Sequence, residues 1–156
     1  MKIVKKRILP IAAASLLLAG VLSTAAQDKG TWRAASSNAE AITGDIAISN
    51  TKITINFSGF TIAQIRKIAP SEVSAVFDLN PGSSGPGNLY RLNIPASRRF
   101  LRHNTLCGSD DAQWMATYAA DRGLQVAFFS GPNMPVLTPD ALANSTDLCG
   151  TFSYAH

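Results

Sequence analysis

The sequence has very little histidine, which limits the catalytic and metal chemistry that it can support. His103 and His156 are the only two histidines among 156 residues. A Ser–His–Asp mechanism needs three convergent groups, and the sequence has no Gly-x-Ser-x-Gly elbow. Metal sites use clustered ligands such as His-x-x-x-His, which are also missing. We therefore expect no catalytic triad, no metal and no cofactor.

Charge is also scarce, at 15% of the residues. Four of the 14 Lys and Arg residues lie within the first seven positions, and no Asp or Glu precedes Asp28. Residues 27–156 therefore carry ten basic and ten acidic side chains. This balance gives no indication of nucleic-acid binding.

The first 26 residues have the three parts of a secretory signal peptide. A basic start over residues 2–7 precedes an apolar run over residues 8–21, and residues 23–26 are small. The run is too short and wrongly flanked for a stable membrane span. We predict a cleaved signal peptide over residues 1–26 and one domain over residues 27–156. The expected location is periplasmic or secreted, without stable membrane insertion after cleavage.

Only two cysteines are present, Cys107 and Cys149, and each stands in a Leu-Cys-Gly tripeptide. Their spacing is far from a Cys-x-x-Cys redox motif, and a lone pair in an exported chain is most simply one disulfide. The bond would close a 42-residue loop. A loop of that size contributes roughly 4 kcal/mol to stability through chain entropy.

Alternation of apolar and polar residues predicts an all-β fold. The clearest hairpin joins Ile42–Ile48 to Ile53–Phe57 across residues 49–51, with Phe57 expected on the apolar face. Other strands are predicted over 31–34, 73–79, 90–94, 113–118, 124–130 and 150–154. Segment 61–69 fits either a strand or a helix, and a strand is favoured over a helix at 113–118. Short helical turns are indicated between residues 95 and 102 and after Thr138. Eight or nine strands of this kind are typical of a small antiparallel, lipocalin-like β-barrel.

The densest charged feature is the run Arg98-Arg99-Phe100-Leu101-Arg102-His103, with Arg91 just upstream. Such a cluster can bind a carboxylate, a phosphate or an acidic protein surface. The alternative interpretation is a solvated turn whose charge is balanced by Asp110 and Asp111. The candidate binding residues are Arg91, Arg98, Arg99, Arg102 and His103.

Three segments carry a resemblance to known proteins: Thr31–Ser36, Ile42–Ile46 and Gln113–Tyr118. They resemble a family of small exported proteobacterial proteins of unassigned function, over most of the chain after residue 26. This resemblance implies export and brings no catalytic residues. In architecture the chain is similar to lipocalin-like proteins and to periplasmic lysozyme or protease inhibitors, which is an analogy of fold.

These observations favour an exported, non-catalytic binding protein that recognises a small ligand or an envelope or secreted protein. Within that class, the alternative is an inhibitor of an exported enzyme such as a lysozyme or protease. A hollow barrel would favour the small ligand, whereas a filled barrel with a protruding loop would favour the inhibitor. The alternative of another class is an exported hydrolase or lyase that uses His103 with a nearby carboxylate such as Asp110.

Overall fold

The computed structural model describes residues 27–156, so the signal peptide predicted over residues 1–26 lies outside the described residues. The strands are β1 (Gly30–Ala34), β2 (Ile46–Ile48), β3 (Lys52–Ile55), β4 (Ser58–Ile68), β5 (Gly87–Ile94), β6 (Ala112–Ala120), β7 (Gly123–Phe129) and β8 (Leu148–Ala155). Each strand pairs antiparallel with the next, and β8 pairs with β1 to close a barrel. The predicted all-β barrel is confirmed, and β6 is the strand favoured at residues 113–118.

The barrel interior is filled by side chains. Large buried residues from all parts of the sheet meet there, namely Trp32, Ile46, Ile53, Tyr90, Met115, Phe128, Phe152 and Tyr154. An eight-stranded barrel is just wide enough to be packed in this way. Alternation works along most strands as the sequence predicts, because one face of the strand supplies the interior.

A second apolar layer covers the outside of β5, β6 and β7. It contains helix α1 (Pro70–Phe77), and helix α2 (Pro139–Ala143) lies beside α1. Its buried residues are Ile68, Val73, Val76, Leu89, Trp114, Ala116, Ala127, Phe129 and Leu137. These strands are therefore apolar on both faces. No helix in residues 27–156 has the length and apolar character needed to cross a membrane.

The strand predicted over residues 73–79 is wrong, because residues 73–77 belong to α1, which ends at Phe77. Pro70 occupies the first turn, where its missing N–H leaves no bond unmade. The Glu72 carboxylate accepts a hydrogen bond from the Ala69 N–H at 2.8 Å, which caps the helix. Val73 and Val76 lie one turn apart and both are buried, so the buried helical face includes Val76, a residue outside the alternating set of Val73, Ala75 and Phe77.

Segment 61–69 is part of strand β4, and a bulge explains its spacing of three. Gln64 pairs with Tyr90 and Arg66 pairs with Leu89, so Ile65 is an extra residue without a partner on β5. Ile65 is 49% exposed. The bulge changes the phase of the strand, so that Ile62 packs in the barrel interior while Ile68 packs in the outer layer.

Strand β2 begins later than predicted. A π-helical turn over Ala39–Thr43 replaces the start of the expected strand and ends at Gly44, whose φ is 62°. That left-handed conformation favours glycine. The predicted turn after Thr138 is confirmed as α2, since the Thr138 hydroxyl accepts a hydrogen bond from the Ala141 N–H at 3.3 Å.

The disulfide between Cys107 and Cys149 is confirmed, and it fastens the connection between β5 and β6 to the start of β8. Replacing both cysteines by serine should lower the free energy of unfolding by roughly 4 kcal/mol without abolishing the fold. Urea denaturation of the wild type and the double variant, each with and without reductant, measures this. Identical midpoints for the oxidised and reduced wild type would contradict it.

Deleting Ile65 should destabilise the barrel severely, because residues on one side of the bulge would exchange faces. We expect a loss of more than about 3 kcal/mol in the free energy of unfolding. Ile65→Ser keeps the extra residue and serves as the matched control, with a change within about 0.5 kcal/mol. Equal urea midpoints for the deletion and the substitution would show that β4 does not need the bulge.

Candidate functional site

Four connections gather at one end of the barrel, which we call the loop end. Because the strands alternate in direction, residues 35–45, 56–57, 95–111 and 130–147 all lie where β1 finishes. The opposite end, which we call the tail end, lies where β1 begins, next to residues 27–29. Candidate sites are present at both ends.

Three of the predicted binding residues, Arg98, Arg99 and Arg102, are exposed at the loop end. The Arg98 guanidinium donates to the Ser58 hydroxyl, and Arg99 donates to the Ala96 carbonyl at 2.7 Å. Within residues 27–156, none of the three forms an ion pair with a carboxylate. Their positive charges therefore face solvent.

Arg91 has different partners from the other arginines. It lies on the outer face of β5, where its guanidinium donates to the Gln113 side chain at 2.6 Å and to the Gln113 carbonyl at 3.3 Å. It also stacks on Trp114, 4.7 Å from the ring centre. These contacts cover the edge of the outer apolar layer, so Arg91 is held by the sheet and is not part of the loop-end group.

His103 is exposed beside Arg102, and both residues have left-handed backbone, with φ of 62° and 52°. In the described part of the chain, no hydrogen bond or ion pair joins His103 to Asp110, and Asp111 accepts from the Ala96 N–H at 2.7 Å. The structure thus does not bring together the pair that acid–base catalysis would need. Among residues 27–156, no three His, Cys, Asp or Glu side chains are grouped to hold a metal ion.

Phe57 was predicted to face the core, and the structure shows the opposite: its side chain is 100% exposed. Strand β3 ends at Ile55, and Asn56 and Phe57 form the two-residue turn to β4 with φ of 46° and 65°. Turns with positive φ at both positions prefer Asn-Gly. A residue with a Cβ costs about 1 kcal/mol in this conformation. Phe57 therefore carries a backbone cost and buries no surface within the fold.

A cleft of about 350 Å³ lies beside Phe57. Its floor is formed by small side chains of β1 to β3, Thr31, Ala47 and Thr54, which are paired across the strands. Phe57 and Leu101 also line it. Arg98 donates a hydrogen bond to Ser58, which directly follows Phe57, and Arg102 directly follows Leu101. Basic side chains therefore lie next to the apolar residues that line the cleft. We call this surface the anchor face: Phe57, Arg98, Arg99, Leu101 and Arg102.

At the tail end, a buried polar cluster lies where the sequence indicates only a polar segment before β1. Asp28 is 4% exposed, and its Oδ2 accepts three hydrogen bonds. The donors are the Tyr90 hydroxyl at 2.7 Å, the Thr117 hydroxyl at 2.5 Å and the Asn88 amide at 3.0 Å. The Lys29 amine lies 3.4 Å from the other carboxylate oxygen, Oδ1.

The charge state of this cluster follows from its contacts. Burial alone would raise the pKa of Asp28, but the three hydrogen bonds and the charge of Lys29 outweigh burial and hold the pKa below its ordinary value. Burial, together with the hydrogen bond to Asp28 and its negative charge, raises the pKa of Tyr90. Asp28 is thus an ionised acceptor and Tyr90 a neutral donor.

A scan against protein-family models, a search of curated proteins and a search of solved structures each found no match. The resemblance to exported proteobacterial proteins therefore stays a prediction. Function is inferred below from the two ends of the barrel.

Phe57→Gly should stabilise the protein by about 1 kcal/mol, because glycine relieves the left-handed strain at this turn. Phe57→Ala is the control, since it removes the ring but keeps the Cβ, and its stability should match the wild type within about 0.5 kcal/mol. Urea denaturation measures both. A Phe57→Gly variant that is less stable than the wild type would show that the ring supports the fold.

Asp28→Asn should destabilise the protein by roughly 3 kcal/mol at neutral pH, since it removes a buried carboxylate from its donors. The pKa of Asp28 is lowered in the folded state, so its contribution is complete above the ordinary carboxyl pKa and is lost as the pH falls through the lower, folded value. The difference between wild type and variant should therefore shrink in acid.

Urea midpoints measured across the acid range test this dependence. Glu72→Gln is the control variant, because hydrogen bonds with Arg66 also lower the pKa of Glu72. Glu72 makes no contact that lowers the pKa of Asp28, so this variant should keep the pH dependence that Asp28 contributes. A gap between wild type and Asp28→Asn that stays constant down to low pH would contradict the charge state described here.

Proposed function

We propose that this is an exported, non-catalytic binding protein that recognises another envelope or secreted protein through the anchor face. The observation that carries the proposal is the exposed ring of Phe57. It buries no surface in the fold, and its backbone conformation has a cost that glycine would not have. The benefit of a phenyl ring at this position is therefore expected in a complex.

The packed interior supports a protein partner over a small ligand inside the barrel. Trp32, Tyr90, Phe128, Phe152 and Tyr154 already fill the space that a lipocalin-like ligand would occupy. Recognition then falls to the outer surface and the loops. Among the described residues, the large hydrophobic side chain with the greatest exposure is Phe57, which lies at the loop end.

The charges of the anchor face indicate the chemistry of the partner. Arg98, Arg99 and Arg102 are exposed, and none is neutralised by an ion pair within residues 27–156. Aromatic and arginine side chains are the types that most often carry binding energy at protein interfaces. The matching surface has an apolar pocket for the Phe57 ring with Asp or Glu residues around it.

The same features favour inhibition of an exported enzyme as the form of this binding. A single ring on a two-residue turn can enter a partner's cleft while the filled barrel behind it stays rigid. The partner is then an enzyme with an acidic rim, and occupation of its cleft would block the substrate. Loss of the enzyme's activity on binding would separate inhibition from simple complex formation.

Capture from an envelope extract, followed by affinity measurement with the purified partner, tests the proposal. Phe57→Ala should weaken binding by about thirtyfold, equivalent to about 2 kcal/mol for an interface anchor. The Arg98/Arg99/Arg102→Ala variant should weaken binding as well and reduce its salt dependence.

Two variants away from the anchor face are the controls. Ile65→Ala removes another exposed hydrophobic side chain, and Arg122→Ala removes an exposed charge at the tail end. Both should bind like the wild type. A partner that binds the Phe57 and arginine variants as tightly as the wild type would exclude the anchor face as the binding site.

A further inference from the structure

We propose that the tail end of the barrel contains a binding site for a small monocarboxylate, which the side chain of Asp28 occupies as an internal ligand. Asn88, Tyr90 and Thr117 form the receptor, and all three donate to one oxygen of the Asp28 carboxylate. The receptor belongs to the barrel wall, whereas the carboxylate belongs to the segment before β1.

The sheet itself positions the three donors. Asn88 of β5 is paired directly with Thr117 of β6, and Tyr90 lies two residues further along β5 on the same face. Tyr90 and Thr117 are completely buried. Because strand pairing fixes these positions, the donors should stay convergent when the Asp28 side chain is removed.

The bound carboxylate comes from a short segment that enters the barrel at a glycine. Gly30 has φ of 126°, a conformation open to glycine and costly for other residues, and it redirects the chain between β1 and residues 27–29. Besides the carboxylate, the main anchors of this segment are the Lys29 amine, 2.5 Å from the Tyr90 hydroxyl, and the Asp28 carbonyl, which accepts from the Trp32 indole at 3.1 Å.

The donor set determines the class of ligand. Three neutral donors converge on one oxygen, while the second oxygen faces a lysine amine 3.4 Å away. A planar carboxylate satisfies both conditions with two oxygens. Because the interior beyond Tyr90 is filled, only the volume of the Asp28 side chain can be occupied, and this limits the ligand to a short acid such as formate or acetate. In the wild type, such a ligand must displace Asp28, so the site is closed by the chain's own carboxylate.

Chemical rescue of Asp28→Ala in the full chain tests the proposal. Thermal unfolding is followed as sodium formate or sodium acetate is added, with sodium chloride at equal ionic strength as the control. The variant should gain several degrees in melting temperature, saturably, with a dissociation constant on the order of millimolar, as so small a ligand allows. The wild type should respond no more than it does to chloride.

A second variant assigns the response to the receptor. Asp28→Ala/Tyr90→Phe lacks one donor and should bind formate at least tenfold more weakly than Asp28→Ala. If Asp28→Ala is unfolded in buffer, formate should refold it, as measured by circular dichroism. A variant that responds to formate only as it does to chloride, that stays unfolded with formate, or whose response survives loss of the Tyr90 hydroxyl would overturn the proposal.

Discussion

Closure of the sheet between β1 and β8 is the contact on which the rest of the structure depends. The ladder itself is short, with two paired positions, Arg33 with Ala155 and Ala34 with Tyr154. Side chains reinforce it, since the Thr43 and Tyr154 hydroxyls lie 2.8 Å apart and the Asn38 amide donates to the Thr151 carbonyl at 2.5 Å. Without this pairing, β1 and β8 would each have an unpaired edge, and the Trp32 ring of β1, which is now buried, would be exposed to solvent. The segment that carries Asp28 leads directly into β1, so its position depends on this closure.

Much of the fold could be predicted from the sequence, because alternation of apolar and polar residues indicates a strand with one buried face and one exposed face. The hairpin of β2 and β3 and the strands β6 to β8 follow from it. The helix at Pro70 was missed, since Val73, Ala75 and Phe77 alternate while Val73 and Val76 also share a helical face. The bulge at Ile65 could not be predicted either, because an extra residue is recognised only against its partner strand. The local sequence pattern therefore predicts most of the strands. Which face of the sheet a residue occupies after a bulge depends on the pairing with a strand that is distant in sequence.

The candidate sites were harder to predict than the fold. The exposed arginines of the loop end stand out in the sequence, but Phe57 looks like the next core residue after Ile55 until the turn is seen. One residue of the Asp28 cluster, Thr117, is a fully buried hydroxyl among apolar residues, and a buried polar side chain needs a partner. That partner is Asp28, which lies 89 residues before Thr117 in the sequence, so only the tertiary structure brings the two together.

The two halves of the barrel differ in how many faces of their strands are buried, and this difference affects their local stability. Strands β5 to β7 are held between the packed interior and the outer layer, whereas β1 to β3 are three to five residues long and have one apolar face. Local opening follows the regions with the fewest buried contacts. We therefore expect the amide protons of β1 to β3 to exchange faster than those of β5 to β7. Local opening of β1 to β3 would release the segment that carries Asp28, because this segment leads directly into β1, and it would leave the donors on β5 and β6 in position.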